Sequence, residues 1–138
     1  MTIPQPPAPG GAADTLKCMS EPSIFTRILD GEIPSEIIAQ TENVFAIRDI
    51  APKAPVHLLV IPKSPRYRDV IELAAGDPAL MAEMVSLAGR LAGEHSDGDF
   101  RLIFNNGSGA GQTVFHVHAH VLAGAPGGPG LDEKSMSA

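Results

Sequence analysis

Between Ser23 and Gly124 the apolar residues fall in short blocks, and the spacing inside each block predicts its element. Ile24, Phe25, Ile28 and Leu29 recur at helical spacing, with Ser23 placed to cap the start and Gly31 to stop it. Pro34 then forces an extended exit. Ile37-Ile38-Ala39 and Val44-Phe45-Ala46-Ile47 read as two short strands around a turn at Thr41-Glu42-Asn43. Two prolines, Pro52 and Pro55, set the following segment from Asp49 as a loop. His57-Leu58-Leu59-Val60-Ile61 is a nearly continuous apolar run closed by Pro62, which suits a central strand. Residues 64–78 are mixed, with one helical turn expected at Asp69–Leu73. From Pro78 to about His95, Leu80, Met84, Leu87, Ala88 and Leu91 form one stripe, so a long helix is expected, weakened locally by Gly89 and Gly93. A strand at Phe100–Phe104 leads into the glycine-rich loop Asn105-Asn106-Gly107-Ser108-Gly109-Ala110-Gly111.

That loop opens directly onto Gln112-Thr113-Val114-Phe115-His116-Val117-His118-Ala119-His120-Val121-Leu122. Three of the five histidines alternate here with small or β-branched apolar residues. Alternation of this kind predicts a strand with the three imidazoles in a row on one face, each roughly 6–7 Å from the next. The opposite face is apolar and can pack on a core. Short connections between the strands favour antiparallel pairing, and hence an α+β domain with about five strands, one long helix and one short one.

Composition narrows the picture. A chain of 138 residues is one domain with room for a core, and 43% hydrophobic with 19% charged residues is a globular balance. A net charge of −6 is the wrong sign for holding a nucleic-acid polymer, so any nucleotide bound is small and held locally. The single cysteine, Cys18, excludes an intramolecular disulfide and suits the cytoplasm. No apolar run approaches the ~20 residues of a membrane span. Residues 1–22 carry five of the 13 prolines and a Gly10-Gly11 pair, and read as a disordered arm without the charge pattern of a secretory signal. The domain then covers 23–124, and 125–138 is an irregular Gly- and Pro-rich tail.

The histidine row admits several chemistries. As a metal site it is poor: a flat row spreads its three rings over roughly 13 Å, too far for one ion with ~2 Å bonds. As a nucleophile, an imidazole attacks phosphorus readily near neutral pH, and its neighbours can hold its tautomer and protonate a leaving group. The glycine loop adds backbone N–H groups that can approach a phosphate closely, with Asn105 and Thr113 as neutral donors nearby. Asp49 could accept the two hydroxyls of a ribose, although a loop aspartate is more often a turn residue. His57 stands on a separate strand, where a satisfied buried histidine is the plainer role. A nucleotide-binding module without turnover, or a pH-sensing face, would use the same residue types.

The motif His116-Val117-His118-Ala119-His120-Val121-Leu122 resembles the signature of the histidine triad, or HIT, superfamily. The resemblance extends to Ser23–Ile28 with Gly31–Ser35, to Phe45–Pro62, and to Asn105–His120 with Gly111-Gln112-Thr113 in place. It covers about residues 23–124, and the segment Asp49-Ile50-Ala51-Pro52-Lys53-Ala54-Pro55 is similar to the Hint branch of purine nucleoside phosphoramidases. The resemblance implies a HIT-like fold whose sheets join across a homodimer. It implies hydrolysis of the P–N bond of purine nucleoside 5′-phosphoramidates. His118 would be the nucleophile, His120 and His116 would flank the phosphate and leaving group, and His57 would support His118 from the neighbouring strand. Thr113 would stand near the leaving amine. Asn105 and Gly111, with Gln112 beside them, would hold the phosphate, Asp49 the ribose, and Ile24, Phe25, Ile28, Ile47 and Ile50 the purine. The ligand would be a purine nucleoside monophosphate or phosphoramidate, with no cofactor.

Two departures accompany the resemblance. Some bacterial relatives bind a structural zinc partly through a Cys-x-x-Cys pair, where this chain has Ser23 and Thr26, so no metal is expected. Hint proteins tend to end in an aromatic-containing segment, whereas this chain has no tryptophan and its tail includes Gly124-Ala125-Pro126-Gly127-Gly128-Pro129-Gly130, which cannot supply that contact. A dinucleoside polyphosphate hydrolase, or an interaction module with incidental turnover, is the alternative to a phosphoramidase.

Overall fold

The computed structural model describes residues 22–132. The expected N-terminal arm, apart from Pro22, and the last six residues of the tail lie outside them. Helix α1 (Ile24–Leu29) starts where Ser23 accepts a hydrogen bond from the Thr26 N–H at 3.2 Å, and it stops at Gly31, whose φ of +83° suits a residue without a Cβ. Strands β1 (Ile37–Gln40) and β2 (Val44–Arg48) form a hairpin, and β3 (Val56–Pro62) pairs antiparallel with β2. Helix α2 (Val70–Gly76) and helix α3 (Pro78–His95) follow, then β4 (Arg101–Ile103) and β5 (Ala119–Ala123). The strands make one sheet in the order β1-β2-β3-β5-β4, antiparallel throughout.

The long helix matches its expected bounds. Asp77 caps it by accepting from the Leu80 N–H at 3.0 Å, and Pro78 occupies its first turn. The single turn expected at Asp69–Leu73 is instead the seven-residue α2. Asp69 caps its start through the Glu72 N–H, and the Asp77 N–H closes its end on the Leu73 carbonyl. Its apolar periodicity is weak because Leu73 is its one buried side chain, so capping rather than patterning defines it.

The sheet has two unlike faces. On one, Val44, Ala46, Leu58, Val60, Ala119 and Val121 pack beneath Leu80, Met84, Leu87 and Leu91 of α3 and Leu73 of α2. On the other, Phe45, Ile47, Leu59 and Ile61 meet Phe25 and Ile28 of α1. Strand alternation puts His57 with Leu59 and Ile61 on this second face. In the β3–β5 register His120 stands opposite Leu59 and His57 opposite Leu122, so the two histidines are diagonal neighbours across the ladder.

The histidine row departs from expectation. The ladder ends where Val60 pairs with Ala119, so only His120 of the three lies in the strand. Pro62 has no N–H to extend the pairing, and its carbonyl is taken by the His116 ring at 2.7 Å. The Val117 N–H bonds the Tyr67 carbonyl, at 2.9 Å, rather than a strand partner. The approach through His116 and His118 is therefore irregular backbone pinned from the side. Residues 125–132 form no helix or strand, yet the Gly127 N–H reaches Asp97 at 2.9 Å and the Arg101 guanidinium donates to the Asp132 carbonyl. Among the described residues no helix is long and apolar enough to cross a membrane.

Candidate active site

Four imidazoles gather at the end of β5 nearest α1. The ring centroids of His118 and His120 are 5.2 Å apart, as are those of His57 and His120. Phe25, two residues beyond the Ser23 cap, lies edge-on to both His116 (5.6 Å) and His118 (4.8 Å). All four rings are held neutral near pH 7, because burial penalises the imidazolium. Burial lowers the pKa values of His116 and His120 to about 4, with neighbouring rings adding to the effect, and it also lowers those of His57 and His118.

Neutral imidazole has one N–H and one lone pair, so each ring's partners assign its tautomer. His57 Nδ1 accepts the backbone N–H of Lys53 at 3.0 Å, which leaves the proton on Nε2. That Nε2–H donates to His120 Nδ1 at 3.0 Å, so His120 carries its own proton on Nε2. His118 Nδ1 lies 2.9 Å from the His116 carbonyl, which can only accept. His118 therefore keeps its proton on Nδ1 and presents an unprotonated Nε2. The same reasoning places the proton of His116 on Nε2, facing the Pro62 carbonyl.

His116 is the least exposed of the four imidazoles. It is fully buried, with one nitrogen on Pro62 and the other 2.5 Å from Ser23 Oγ. Gln112 braces the glycine loop. Its side-chain carbonyl accepts the Gly107 N–H at 2.8 Å, and its amide nitrogen donates to the carbonyls of Arg68 and Val114. The side chain thus closes the glycine loop onto Arg68 and Val114. Within that loop, Gly107 and Gly111 both adopt φ of +95°, a conformation that L side chains resist. Gly111 and Thr113 are exposed and Asn105 is half-buried, so the loop presents neutral groups to solvent.

The expected purine residues divide. Phe25, Ile28 and Ile47 are buried in the small core beneath α1, whereas Ile24 and Ile50 are 45% and 94% exposed. The buried three form a floor and the exposed two could border a ligand. Asp49 accepts the Ala51 N–H at 2.7 Å through one oxygen, and its other oxygen lies 3.5 Å from His57 Nε2.

Asp49, His57 and His120 bring one possible metal-ligating atom each within 4.8 Å of one another. Their hydrogen bonds do not suit an ion. With the Lys53 N–H on Nδ1, His57 Nε2 bears a proton and has no lone pair to offer.

Sequence reasoning names the four histidines but misses what orients them. The Lys53 N–H, the Pro62 carbonyl and the Tyr67 carbonyl are backbone groups, so no residue type marks them. Ser23 is visible in the sequence as a helix cap and as the residue in place of a zinc-binding cysteine, but not as a partner of His116.

The HIT domain family matches residues 30–127 of the chain. The purine nucleoside phosphoramidase of Escherichia coli K12 is 38% identical over 122 residues, spanning 86% of this chain and all of that protein. An uncharacterised HIT-like protein of Synechocystis is 42% identical over 112 residues, spanning 78% of this chain and 95% of its own length. Among solved structures, a HIT family hydrolase from Clostridium thermocellum superposes with a TM-score of 0.70 at 40% identity, covering 79% of this chain and 96% of that one. The triad motif, the five-stranded antiparallel sheet and these relatives agree: the chain belongs to the HIT family.

Proposed function

We propose that the protein hydrolyses purine nucleoside 5′-phosphoramidates through a covalent nucleotidyl-histidine at His118. The observation that carries this reading is the tautomer of His118. Its Nδ1–H is bound by the His116 carbonyl, so the lone pair on Nε2 is available as a nucleophile without prior loss of a proton. In the first step the bond from phosphorus to His118 Nε2 forms and the P–N bond breaks. His120, the neighbouring ring, delivers a proton to the departing nitrogen. This requires a doubly protonated His120, which takes its second proton from solvent as the anionic substrate binds and then no longer accepts from His57 Nε2–H; burial disfavours that imidazolium, and the negative charge of the bound phosphate offsets the penalty. Water then attacks phosphorus and gives a proton to His120 while the bond from phosphorus to His118 Nε2 breaks, freeing His118 and releasing the nucleoside monophosphate.

In this reading the loop at Gly107–Gly111, with Asn105 and Thr113, receives the phosphate, and Thr113 stands near the leaving amine. Asp49 takes the ribose hydroxyls, with Ile24 and Ile50 bordering the purine above Phe25, Ile28 and Ile47. The 38% identity to the Escherichia coli purine nucleoside phosphoramidase supports the substrate class. We also propose a homodimer joined through β4. That strand is the end strand of the sheet order, beside β5, which is where the sheet of a second copy would join. Sedimentation at micromolar concentration should then give the mass of two chains.

The test is steady-state hydrolysis of adenosine 5′-phosphoramidate, with and without EDTA, followed by acid quench to trap adenylyl-protein. EDTA-insensitive turnover with label on His118 is the expected result. Turnover without a trapped adduct would remove the covalent step. AMP binding without any turnover would make the protein a nucleotide-binding module.

A further inference from the structure

A hydroxyl outside the histidine motif reaches its least accessible ring. Ser23 Oγ lies 2.5 Å from His116 Nδ1, across 93 residues of sequence. The opposite nitrogen of that ring donates to the Pro62 carbonyl, so Nδ1 holds the lone pair and Ser23 must be the donor. Ser23 Oγ at the same time accepts the Thr26 N–H at 3.2 Å. It therefore donates to His116 and accepts from the first turn of α1.

The contact has a consequence for the nucleophile. The His116 carbonyl is the group that binds His118 Nδ1–H and so leaves His118 Nε2 unprotonated. His116 is held by Ser23 on one ring nitrogen and by Pro62 on the other, while the next residue's N–H is held by Tyr67. Phe25, on the same short helix as the cap, lies against both His116 and His118. The position of α1 and the placement of the His118 ring are thus coupled through one hydroxyl.

We infer that Ser23 is a positioning residue for His118: its hydroxyl donates to the Nδ1 lone pair that the Pro62 carbonyl leaves on His116 and fixes the orientation of that residue, whose carbonyl in turn orients the nucleophile, and it ties the purine-facing helix to the triad. The inference rests on the proposed reaction for its catalytic consequence, but the tie between Ser23 and His116 can be measured without turnover. A hydroxyl is needed because the site requires a donor and an acceptor on one atom. Aspartate would keep the cap, since carboxylates accept well at that position, but it cannot donate to an unprotonated Nδ1.

The experiment compares Ser23→Ala, Ser23→Asp and Ser23→Thr in the full chain. Histidine 15N chemical shifts are recorded at neutral pH, with His116→Gln used for assignment, and kcat and KM are measured on adenosine 5′-phosphoramidate. In the wild type, His116 should show a protonated Nε2 and an unprotonated, hydrogen-bonded Nδ1. Ser23→Asp should retain the circular dichroism of the native protein while losing that signature, and kcat should fall about tenfold with a smaller change in KM, a difference of ~1.4 kcal/mol in the barrier. Ser23→Ala should lose the signature together with the cap. Ser23→Thr should restore both the signature and kcat to within about twofold. Unchanged His116 shifts and kcat in Ser23→Asp would overturn the inference, because capping alone would then account for Ser23. If the wild type does not turn over, the proposed reaction fails, and the 15N shifts alone decide whether Ser23 donates to His116 Nδ1.

Discussion

The two faces of the sheet bury similar residue types to different ends. The face under α3 is apolar throughout, and the long helix covers it with Leu80, Met84, Leu87 and Leu91. The face under α1 is covered by a helix of only six residues, and the rest of it is occupied by His57 and His120 with His116 and His118 beyond the strand end. On the first face, burial removes apolar area from water and needs no direction. On the second, burial desolvates titratable rings, and each must find a hydrogen bond of defined direction. The first face supplies stability; the second exchanges some of it for neutral, oriented imidazoles.

Substitutions should separate the faces. The largest effect belongs to the nucleophile: His118→Gly should reduce phosphoramidate turnover by at least ~10³-fold, with stability changed by no more than about 1 kcal/mol. Near-normal hydrolysis by this variant would falsify the assignment. On the opposite face, Leu58 is fully buried, and Leu58→Ala should cost about 2–5 kcal/mol in urea denaturation while the folded fraction keeps its kcat. A matching loss of kcat per folded molecule would mean that the two faces are not independent.

Acid should act through the histidine face. In the unfolded chain these rings titrate near 6.5, whereas His116 and His120 are held to about 4 in the folded protein, chiefly by burial. Between those values the unfolded state binds protons that the native state refuses. Stability is therefore complete above pH 6.5 and declines as pH falls towards 4, with His116 alone contributing about 3 kcal/mol. Denaturation midpoints measured from pH 7.5 to 4.5 should show the decline, and His116→Gln should flatten it. A flat wild-type profile would contradict neutral burial.

A smaller effect is expected at the phosphate loop. Gly111→Ala places a Cβ at φ of +95° and should cost ~1–2 kcal/mol, with a rise in KM exceeding the loss of kcat if the loop receives the phosphate. Equal kcat and KM in this variant would remove the loop from the site.

Much of the fold is legible in residue spacing alone. The stripe from Leu80 to Leu91 announces α3 because a helix buried on one side must repeat its apolar residues at helical spacing. The run His57–Ile61 announces β3 as a strand buried on both faces, with Pro62 marking its end. Helix α2 is understated by its pattern, since Asp69 and Asp77 define its ends while only Leu73 is buried between them. The regular alternation from His116 to His120 misleads: it satisfies a strand pattern, but the ladder between β3 and β5 does not continue past Val60. Gln112 and His116 carry the residue types of a ligand site and are internal braces.

The sequence by itself determined the fold class, the family and the four imidazoles, because these reside in residue type and spacing. Only the tertiary structure decided which nitrogen of each ring bears the proton. That choice depends on groups brought to the rings by the fold, namely the Lys53 N–H and the carbonyls of Pro62 and His116. A neutral imidazole has no preferred tautomer strong enough to survive burial unaided, so its chemistry is set by whichever donor or acceptor the fold places beside it.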